Sequence, residues 1–254
     1  MKIIVILFFS MLLALPTYGQ NRETDYLSHV LEKMNAVESV TYHCVKKAWE
    51  PGDKEPGYNV PREIYEHVNP QDTAVGYSFL CASDKEFRQP LWVYDGTVFA
   101  YIEKEEKEVR IDDFTQKSPL PFRVIMPQAF GCMKSILEYA LNTQDSIVLS
   151  LKDEGKDYLM ELSIHTPYQV EFFGKACYMP QNPYIYDPTS IYKIWISKEN
   201  DMPYRYRREM QHSISEDICS DFVYNPSGKG KIVAEDYYPA DYVRRIKGEK
   251  SQKA

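Results

Sequence analysis

The side chains best suited to catalysis or metal binding are spread singly along this chain. Its five histidines, His29, His43, His67, His165 and His212, are isolated from one another. No two of them lie on one predicted element with the spacing of metal ligands. The GxSxG pattern, which exposes a nucleophilic serine at a strand-to-helix turn, does not occur. The sequence therefore predicts no metal, no cofactor and no enzymatic activity.

Two acidic segments and one glycine pair resemble functional motifs only in part. Asp112-Asp113 and Glu103–Glu108 place carboxylates side by side, but both are interpreted as solvated turns with nothing nearby to raise a pKa. Gly228-Lys229-Gly230 lacks the GxxxxGK[ST] pattern and the following helix of a phosphate-binding loop. None of the three predicts a catalytic or nucleotide-binding site.

The five cysteines are also far apart. No CxxC pair occurs among Cys44, Cys81, Cys132, Cys177 and Cys219, which disfavours a thioredoxin-type redox pair or a cysteine-rich zinc site. An oxidising compartment would permit disulfides, although an odd number leaves at least one thiol free. A Cys177–Cys219 disulfide and buried free thiols both stay open.

Residues 1–19 have the features of a signal peptide. Lys2 supplies the basic start, Ile3–Leu15 the apolar run, and Thr17-Tyr18-Gly19 the small residues before cleavage at Gln20. The run is shorter than the roughly 20 residues that a membrane-spanning helix needs, although an uncleaved anchor is the alternative. We therefore predict an exported, periplasmic protein with no transmembrane segment in the mature chain.

The charge balance bears on the partner. A net charge of −7 disfavours nucleic acid, whose binding rests on neutralising phosphates with basic side chains. The Lys- and Arg-rich residues 244–254 are interpreted as a solvated C-terminal tail rather than a binding arm.

Hydrophobic periodicity predicts two helices and many strands. Glu23–Val37 and Ala129–Leu141 each repeat apolar residues at helical spacing. Alternating or apolar segments bounded by turn residues predict the strands. These are Ser39–Trp49, Arg62–Val68, Thr73–Cys81, a hairpin over Leu91–Ile102, Val109–Ile111, Ser146–Lys152, Tyr158–Ile164, Gln169–Phe173, a hairpin over Ile191–Met210, Ile218–Tyr224 and Lys231–Tyr238, with loops at Pro51–Pro61 and Tyr178–Ser190.

This order of elements predicts an α+β, mainly β fold. A single large antiparallel sheet would curl, because strand twist accumulates across it, into a half-open β-barrel. The two helices would pack on its concave face and leave an apolar groove between the layers. No linker divides the chain, so residues 20–243 are predicted to form one domain.

The hairpin over Leu91–Ile102 is predicted to turn at Asp95-Gly96. This turn would pair Tyr94 with Thr97 and Trp92 with Phe99. Both faces of the hairpin are then apolar. Since a sheet face open to water normally carries polar residues, we expect both faces to be covered or to line a cavity.

The hairpin over Ile191–Met210 is predicted to have Ser197–Asp201 as its loop. That register pairs Tyr192 with Tyr206 and Ile194 with Tyr204, so that all four side chains point inward. Trp195 would then lie on the outer face among basic residues, with a guanidinium stacked over its ring.

Several segments together resemble the periplasmic lipoprotein carriers, their outer-membrane receptor and the N-terminal domains of sigma-factor regulators. These segments are the signal peptide, the helix leading into Val40-Thr41-Tyr42, the Trp92–Gly96 hairpin and Met202–Arg205. The resemblance covers the order of elements over nearly all of the mature chain. It implies a half-open barrel with a helical lid and a hydrophobic cavity that holds acyl chains.

The predicted function is binding of a lipid or acyl chain in the groove, in lipid or lipoprotein trafficking. The alternative is an envelope protein-interaction or sensor module, associated with thioredoxin-like redox proteins, which would recognise a protein partner. Aromatic and apolar side chains of the inward faces and the lid are the candidate ligand contacts, and each could instead be core. They are Trp92, Tyr94, Phe99, Tyr101, Met126, Phe130, Met133, Tyr192, Ile194, Tyr204 and Tyr206.

Overall fold

The computed structural model describes residues 17–115, 123, 125 and 128–247, with side chains from Arg22 onward. Within these residues, helices α1 and α2 span Thr17–Asn35 and Ala129–Asn142, and a short 3-10 helix spans Ala234–Tyr237. The strands are β1 Ser39–Trp49, β2 Tyr58–Val68, β3 Tyr77–Ala82, β4 Pro90–Tyr94, β5 Val98–Glu103, β6 Glu108–Asp113, β7 Ile147–Asp153, β8 Asp157–Ile164, β9 Val170–Phe172, β10 Ala176–Tyr178, β11 Ser190–Ser197, β12 Met202–Met210, β13 Ser213–Tyr224 and β14 Val243–Ile246.

Twelve of these strands form one sheet in the order β14-β6-β5-β4-β3-β2-β1-β13-β12-β11-β8-β7. Neighbours in it are antiparallel, except that β14 pairs with β6 in parallel at one edge. Strands β9 and β10 form a separate hairpin. The sheet curls without closing, which confirms the predicted mainly β fold with a half-open barrel.

The main core lies between the concave face of the sheet and the two helices. Leu27, Val30 and Met34 of α1 are buried there, together with Met133 and Ile136 of α2. These residues recur at helical spacing on one face of each helix, so one stripe per helix is removed from water. Each large apolar side chain buried in this way contributes about 1.5–3 kcal/mol.

A second core covers the opposite face of the sheet at β2 to β6. Leu80, Val93 and Ala100 are buried there beneath Ile232 and Ala234 of the C-terminal segment. The outer face of the β4–β5 hairpin is therefore covered, as its apolar residues predict. The predicted strand over Lys231–Tyr238 is wrong: its apolar residues pack down onto the sheet, and a 3-10 turn replaces edge pairing.

The β4–β5 register differs from the predicted one by two residues. Tyr94 pairs with Phe99 and Trp92 with Tyr101. The cause lies in the turn, where the Asp95 carboxylate accepts the backbone N–H groups of Thr97 and Val98, both at 2.8 Å. Because the shift is an even number of residues, every side chain keeps its predicted face.

The β11–β12 register is also shifted. Ile194 pairs with Tyr206, while Tyr204 is the extra residue of a β-bulge between the pairs Trp195–Arg205 and Ile196–Pro203. Pro203 has no N–H to donate to the ladder, and a bulge accommodates this loss. The outer-face prediction is confirmed, since the Arg205 guanidinium lies 4.0 Å from the centre of the Trp195 ring.

Among the element boundaries that differ from the predicted ones, three lengthen or add strand pairing. Strand β2 begins at Tyr58, inside the predicted loop Pro51–Pro61, and β13 begins at Ser213, before Ile218. Residues 243–246, which include the start of the predicted solvated tail, pair with β6 as strand β14. In all three, sheet pairing continues through charged residues or proline, which hydrophobic alternation does not assign to a strand.

Candidate functional site

An open cleft of about 900 Å³ lies on the concave side of the sheet. Strands β1 to β5 form one side and its floor, with β12 and β13 completing the floor. The start of α2 and the β9–β10 hairpin form the other side. The lining residues are Cys44, Lys46, Ala48, Tyr58, Arg62, Ile64, Phe79, Trp92, Phe99, Tyr101, Ile125, Gln128, Ala129, Glu171, Phe173, Arg208 and Asp217.

The side of the cleft formed by β4 and β5 is aromatic. The Trp92 and Tyr101 rings lie 6.0 Å apart, and the Phe99 and Tyr101 rings 4.8 Å apart, edge to face. Phe79 continues this surface, with its ring 6.2 Å from that of Phe99. This arrangement follows directly from the pairing of β4 with β5, which puts alternate residues of both strands on the concave face.

The facing side is fixed in place by a glycine. Gly174, in the turn of the β9–β10 hairpin, has a φ of +79° and lies so close to the loop before β3 that an added Cβ would be 2.0 Å from the carbonyl oxygen of Val75. The Ser135 hydroxyl of α2 donates a hydrogen bond to the Gly174 carbonyl at 2.9 Å. These two contacts hold Phe173, the neighbour of Gly174, against the cleft.

Burial along β1 and β2 grades from the inner end of the cleft to its mouth. Tyr42 and Cys44 are buried, while Lys46 and Ala48 further along β1 are half-buried. Strand β2 is antiparallel to β1, so its burial decreases toward the start of the strand, from buried Ile64 to Tyr58, whose side chain is exposed. Charged groups therefore lie between an apolar inner end and an open, aromatic mouth.

Five of the lining residues are charged. Lys46, Arg62 and Arg208 are cationic, and Glu171 and Asp217 are anionic. Arg208 forms an ion pair with Glu171, with an N–O distance of 2.5 Å. Lys46 on β1 is directly opposite Asp217 on β13 in the sheet. The cleft thus carries one more positive than negative charge, although the whole chain has a net charge of −7.

At the inner end, a buried carboxylate joins the sheet to α2. Glu66 is 1% exposed, and its carboxylate accepts hydrogen bonds from the Tyr42 hydroxyl at 2.5 Å and from the backbone N–H groups of Phe130 and Gly131 at 3.0 and 3.1 Å. The preceding residue Gln128 makes no side-chain capping bond. Glu66 therefore satisfies the free N–H groups of the helix start from another element.

Burial raises the pKa of Glu66 from 4.5 to about 7, against the lowering effect of its hydrogen bonds. Between these two values the folded protein binds more protons than the unfolded chain, so the stability contributed by this group falls as pH rises. We expect the wild type to lose about 3 kcal/mol relative to Glu66→Gln between pH 4.5 and pH 8. Urea denaturation of both proteins at both pH values measures this, and parallel pH curves would contradict it.

The predicted ligand contacts fall into different places. Trp92, Phe99 and Tyr101 line the cleft. Tyr94 points to the same face but is fully buried, and its hydroxyl donates to Asp72 at 2.6 Å while accepting from Arg123 at 2.7 Å. Burial, together with the hydrogen bond to Asp72, raises the pKa of Tyr94 well above its usual value, so this hydroxyl stays neutral.

The remaining candidates lie away from the cleft surface. Tyr204, predicted to point inward with its neighbours, is half-buried; it lines a separate cavity of about 350 Å³ and donates to Asp157 at 2.8 Å. Met126 lies outside the described residues. The others belong to the main core, where they are at most 5% exposed: Phe130, Met133, Tyr192, Ile194 and Tyr206.

The charged residues of the cleft were missed by the sequence analysis. Three of them were predictable by alternation, because Lys46 follows Tyr42 and Cys44, Arg62 shares its face with Ile64, and Arg208 follows Tyr204 and Tyr206. Asp217 carries no such signal, since it lies before the predicted strand that begins at Ile218.

Within residues 17–115, 123, 125 and 128–247, no group of three potential His, Cys, Asp or Glu ligands is arranged to hold a metal ion. The five cysteines are all buried free thiols, and Cys219 is opposite Cys44 rather than bonded to Cys177. No helix in the described part of the chain has the length and apolar character needed to cross a membrane.

No family model and no curated protein matches this chain. Among solved structures it is similar to lipoprotein LppX of Mycobacterium tuberculosis, with a TM-score of 0.39 and 8% identity over 82% of this chain and 97% of that one. A LolA superfamily protein of Nitrosomonas europaea gives 0.32 and 10% over 85% and 99%. A lipoprotein-sorting domain of Vibrio parahaemolyticus gives 0.32 and 8% over 83% and 94%.

Proposed function

We propose that this protein binds a lipid or a single acyl chain in the cleft, without catalysis. The observation that carries the proposal is the cleft itself, an open cavity of about 900 Å³ with one continuous aromatic side. Ligand sites are commonly concave and mostly apolar with a few polar groups. Trp92, Phe99 and Tyr101 are the side chains that we expect to contact the chain of the ligand.

The energetics are adequate for useful affinity. Each buried methylene contributes about 0.8 kcal/mol, so roughly ten of them supply about 8 kcal/mol before the entropic cost of ordering the chain. The half-open sheet leaves the cleft accessible along its mouth, where Tyr58 and Tyr101 are 39% and 47% exposed. A ligand can therefore enter and leave without unfolding of the core, as carriage requires.

The predicted export of the chain agrees with this role. A hydrophobic ligand in the periplasm needs shielding from water while it moves between membranes, and a cleft of this kind supplies it. Trafficking of lipid or lipoprotein acyl chains within the cell envelope is thus the physiological role that we propose.

The direct test is purification of the mature protein without detergent, followed by mass spectrometry of what co-purifies. We expect a lipid or fatty acid, and uptake of a fluorescent fatty-acid analogue once the protein is stripped. A protein that carries no lipid and takes up none of the analogue would overturn the proposal. Capture of a specific envelope protein instead would favour an interaction module.

Filling the cleft should abolish uptake. Ala48 is half-buried at the mouth, so Ala48→Trp places an indole in the path of the ligand while leaving the main core untouched. We expect at least a tenfold loss of affinity for the fluorescent analogue, because the indole takes the place of several buried methylenes. Ala36→Trp, at an exposed position after α1, is the matched control and should bind as the wild type does. Equal affinities of the two variants would place the ligand elsewhere.

A further inference from the structure

The charged residues of the cleft indicate what kind of lipid it takes, an inference that rests on the function proposed above. Burial of an alkyl chain does not by itself require three cations beside an aromatic surface. Three buried polar atoms of lining residues make no hydrogen bond within the described part of the chain: Arg62 Nε, Arg208 Nε and Asp217 Oδ1. Buried polar groups are normally satisfied, and the two arginine Nε–H donors lack an acceptor, which an anionic group of a ligand would supply.

Arg62 is the cation whose charge is least balanced by neighbouring carboxylates. Its guanidinium lies 4.2 Å from the centre of the Trp92 ring and 5.4 Å from that of Tyr58. Its side chain forms no ion pair with any described residue. Stacking fixes the plane of a guanidinium while its N–H edge stays available, and that edge matches the two oxygens of a carboxylate or phosphate.

The other two cations are partly balanced. Glu171 neutralises Arg208, and Asp217 is opposite Lys46 in the sheet. The surplus is therefore a single positive charge, held on the β1–β2 side of the cleft. A ligand with one negative charge would neutralise it, whereas a cationic ligand would be repelled.

The position of the charge sets the orientation of the ligand. Arg62 lies between buried Ile64 and the exposed Tyr58 along β2, next to the aromatic surface of β4 and β5. A headgroup at Arg62 and Lys46 would let its chain lie against Trp92 and Phe99. The polar end would remain near water and the chain would be shielded.

We propose that the cleft selects single-chain amphiphiles with a singly charged anionic headgroup, such as a long-chain carboxylate, through Arg62 with Lys46 in support. The headgroup would accept hydrogen bonds from the Arg62 guanidinium, and the alkyl chain would lie along the aromatic side. Arg62 would then be a specificity-determining residue, not merely a packing partner of Trp92.

Calorimetric titration with three ligands of equal chain length tests this: dodecanoate, 1-dodecanol and dodecyltrimethylammonium. We expect dodecanoate to bind roughly tenfold to a hundredfold more tightly than dodecanol, as a charge-assisted hydrogen bond provides, and the cation to bind more weakly than both. Acetate at the same concentrations should not bind, because the headgroup alone lacks the chain. Equal affinities for the three amphiphiles would overturn headgroup selection while leaving lipid binding intact, whereas binding of none would overturn the proposed function itself.

The variants Arg62→Met and Lys46→Met show which cation is responsible for the preference for dodecanoate. Arg62→Met keeps the stem over Trp92 and should remove most of the preference for dodecanoate, with affinity for dodecanol changed less than twofold. Arg207→Met is the matched control, since Arg207 lies over Trp49 at 5.3 Å but does not line the cleft. If Arg62→Met weakens the binding of all the ligands equally, Arg62 only lines the cleft, and the inference is overturned. Lys46→Met should lower the affinity for dodecanoate alone, by a smaller factor than Arg62→Met does. If this variant keeps the full preference for dodecanoate over dodecanol, Lys46 is not part of the headgroup site.

Discussion

Replacement of Glu66 by alanine is expected to lower the free energy of unfolding by roughly 3–5 kcal/mol. The substitution leaves the Tyr42 hydroxyl and the N–H group of Gly131 buried without their acceptor, and Phe130 N–H keeps only its longer bond to the Tyr42 hydroxyl at 3.3 Å. It also removes the carboxylate that joins the start of α2 to strand β2. Urea denaturation near pH 6 measures the loss, and hydrogen exchange should show the largest loss of protection at the first amides of α2.

The neighbouring strand residue gives the control for this expectation. Glu63 on the outer face of β2 pairs with His43 at 2.8 Å and is partly open to water. Since a single hydrogen bond that is partly open to water contributes about 1 kcal/mol, Glu63→Ala should have a small effect. Equal losses for the two variants would show that α2 is held by its apolar stripe alone.

Replacement of Gly174 by alanine is expected to cost on the order of 3–5 kcal/mol, through two separable effects. The positive φ of +79° strains any residue with a Cβ, and this Cβ would also be 2.0 Å from the Val75 oxygen and 2.4 Å from its carbonyl carbon. Both clashing atoms belong to backbone, so no rotamer change relieves them. The β9–β10 hairpin would have to move, taking Phe173 away from the cleft.

Gly155 separates the two contributions, because it has the same φ of +79° and nothing within 4 Å of an added Cβ. Gly155→Ala should therefore cost only about 1 kcal/mol, the strain of the backbone conformation. Thermal or urea unfolding of both variants gives the difference, which is the cost of the clash. We expect Gly174→Ala also to bind the fluorescent fatty-acid analogue more weakly, whereas Gly155→Ala should not; similar stabilities would contradict the close approach at Val75.

The faces of strands were predictable from the sequence, but their registers were not. Trp92 and Tyr101 share a face in any register that differs by an even number of residues, so their side of the sheet follows from alternation alone. The register itself depends on side-chain chemistry in the turn at Asp95 and on the missing N–H of Pro203. Those local effects displaced the β4–β5 pairing by two residues, and the β11–β12 pairing by one residue on the loop side of the bulge and two beyond it. Of the predicted inward residues, only Tyr204 at the bulge left its face.

The apolar surface of the cleft was likewise more predictable than its charges. Aromatic residues at alternate positions indicate a packed face, whereas a lysine or arginine in a strand normally indicates a solvated one. Arg62 and Lys46 are directed toward the cleft by pairings with β1, β3 and β13, and β13 is distant in sequence. Glu66 was hidden for the same reason, since its partners on α2 lie more than 60 residues further along the chain.

The pairing of β1 with β13 at the centre of the sheet has a kinetic consequence. Val40 pairs with Tyr224, and Lys46 with Asp217, so the floor of the cleft joins the two ends of the strand sequence. Contacts of such long sequence separation form slowly, because a large loop must close before they stabilise anything. The meander β1 to β6 can form while the later part of the chain is still being delivered. The floor of the cleft is complete only after β13 has joined β1, so we expect the capacity to bind to arise after the meander has formed.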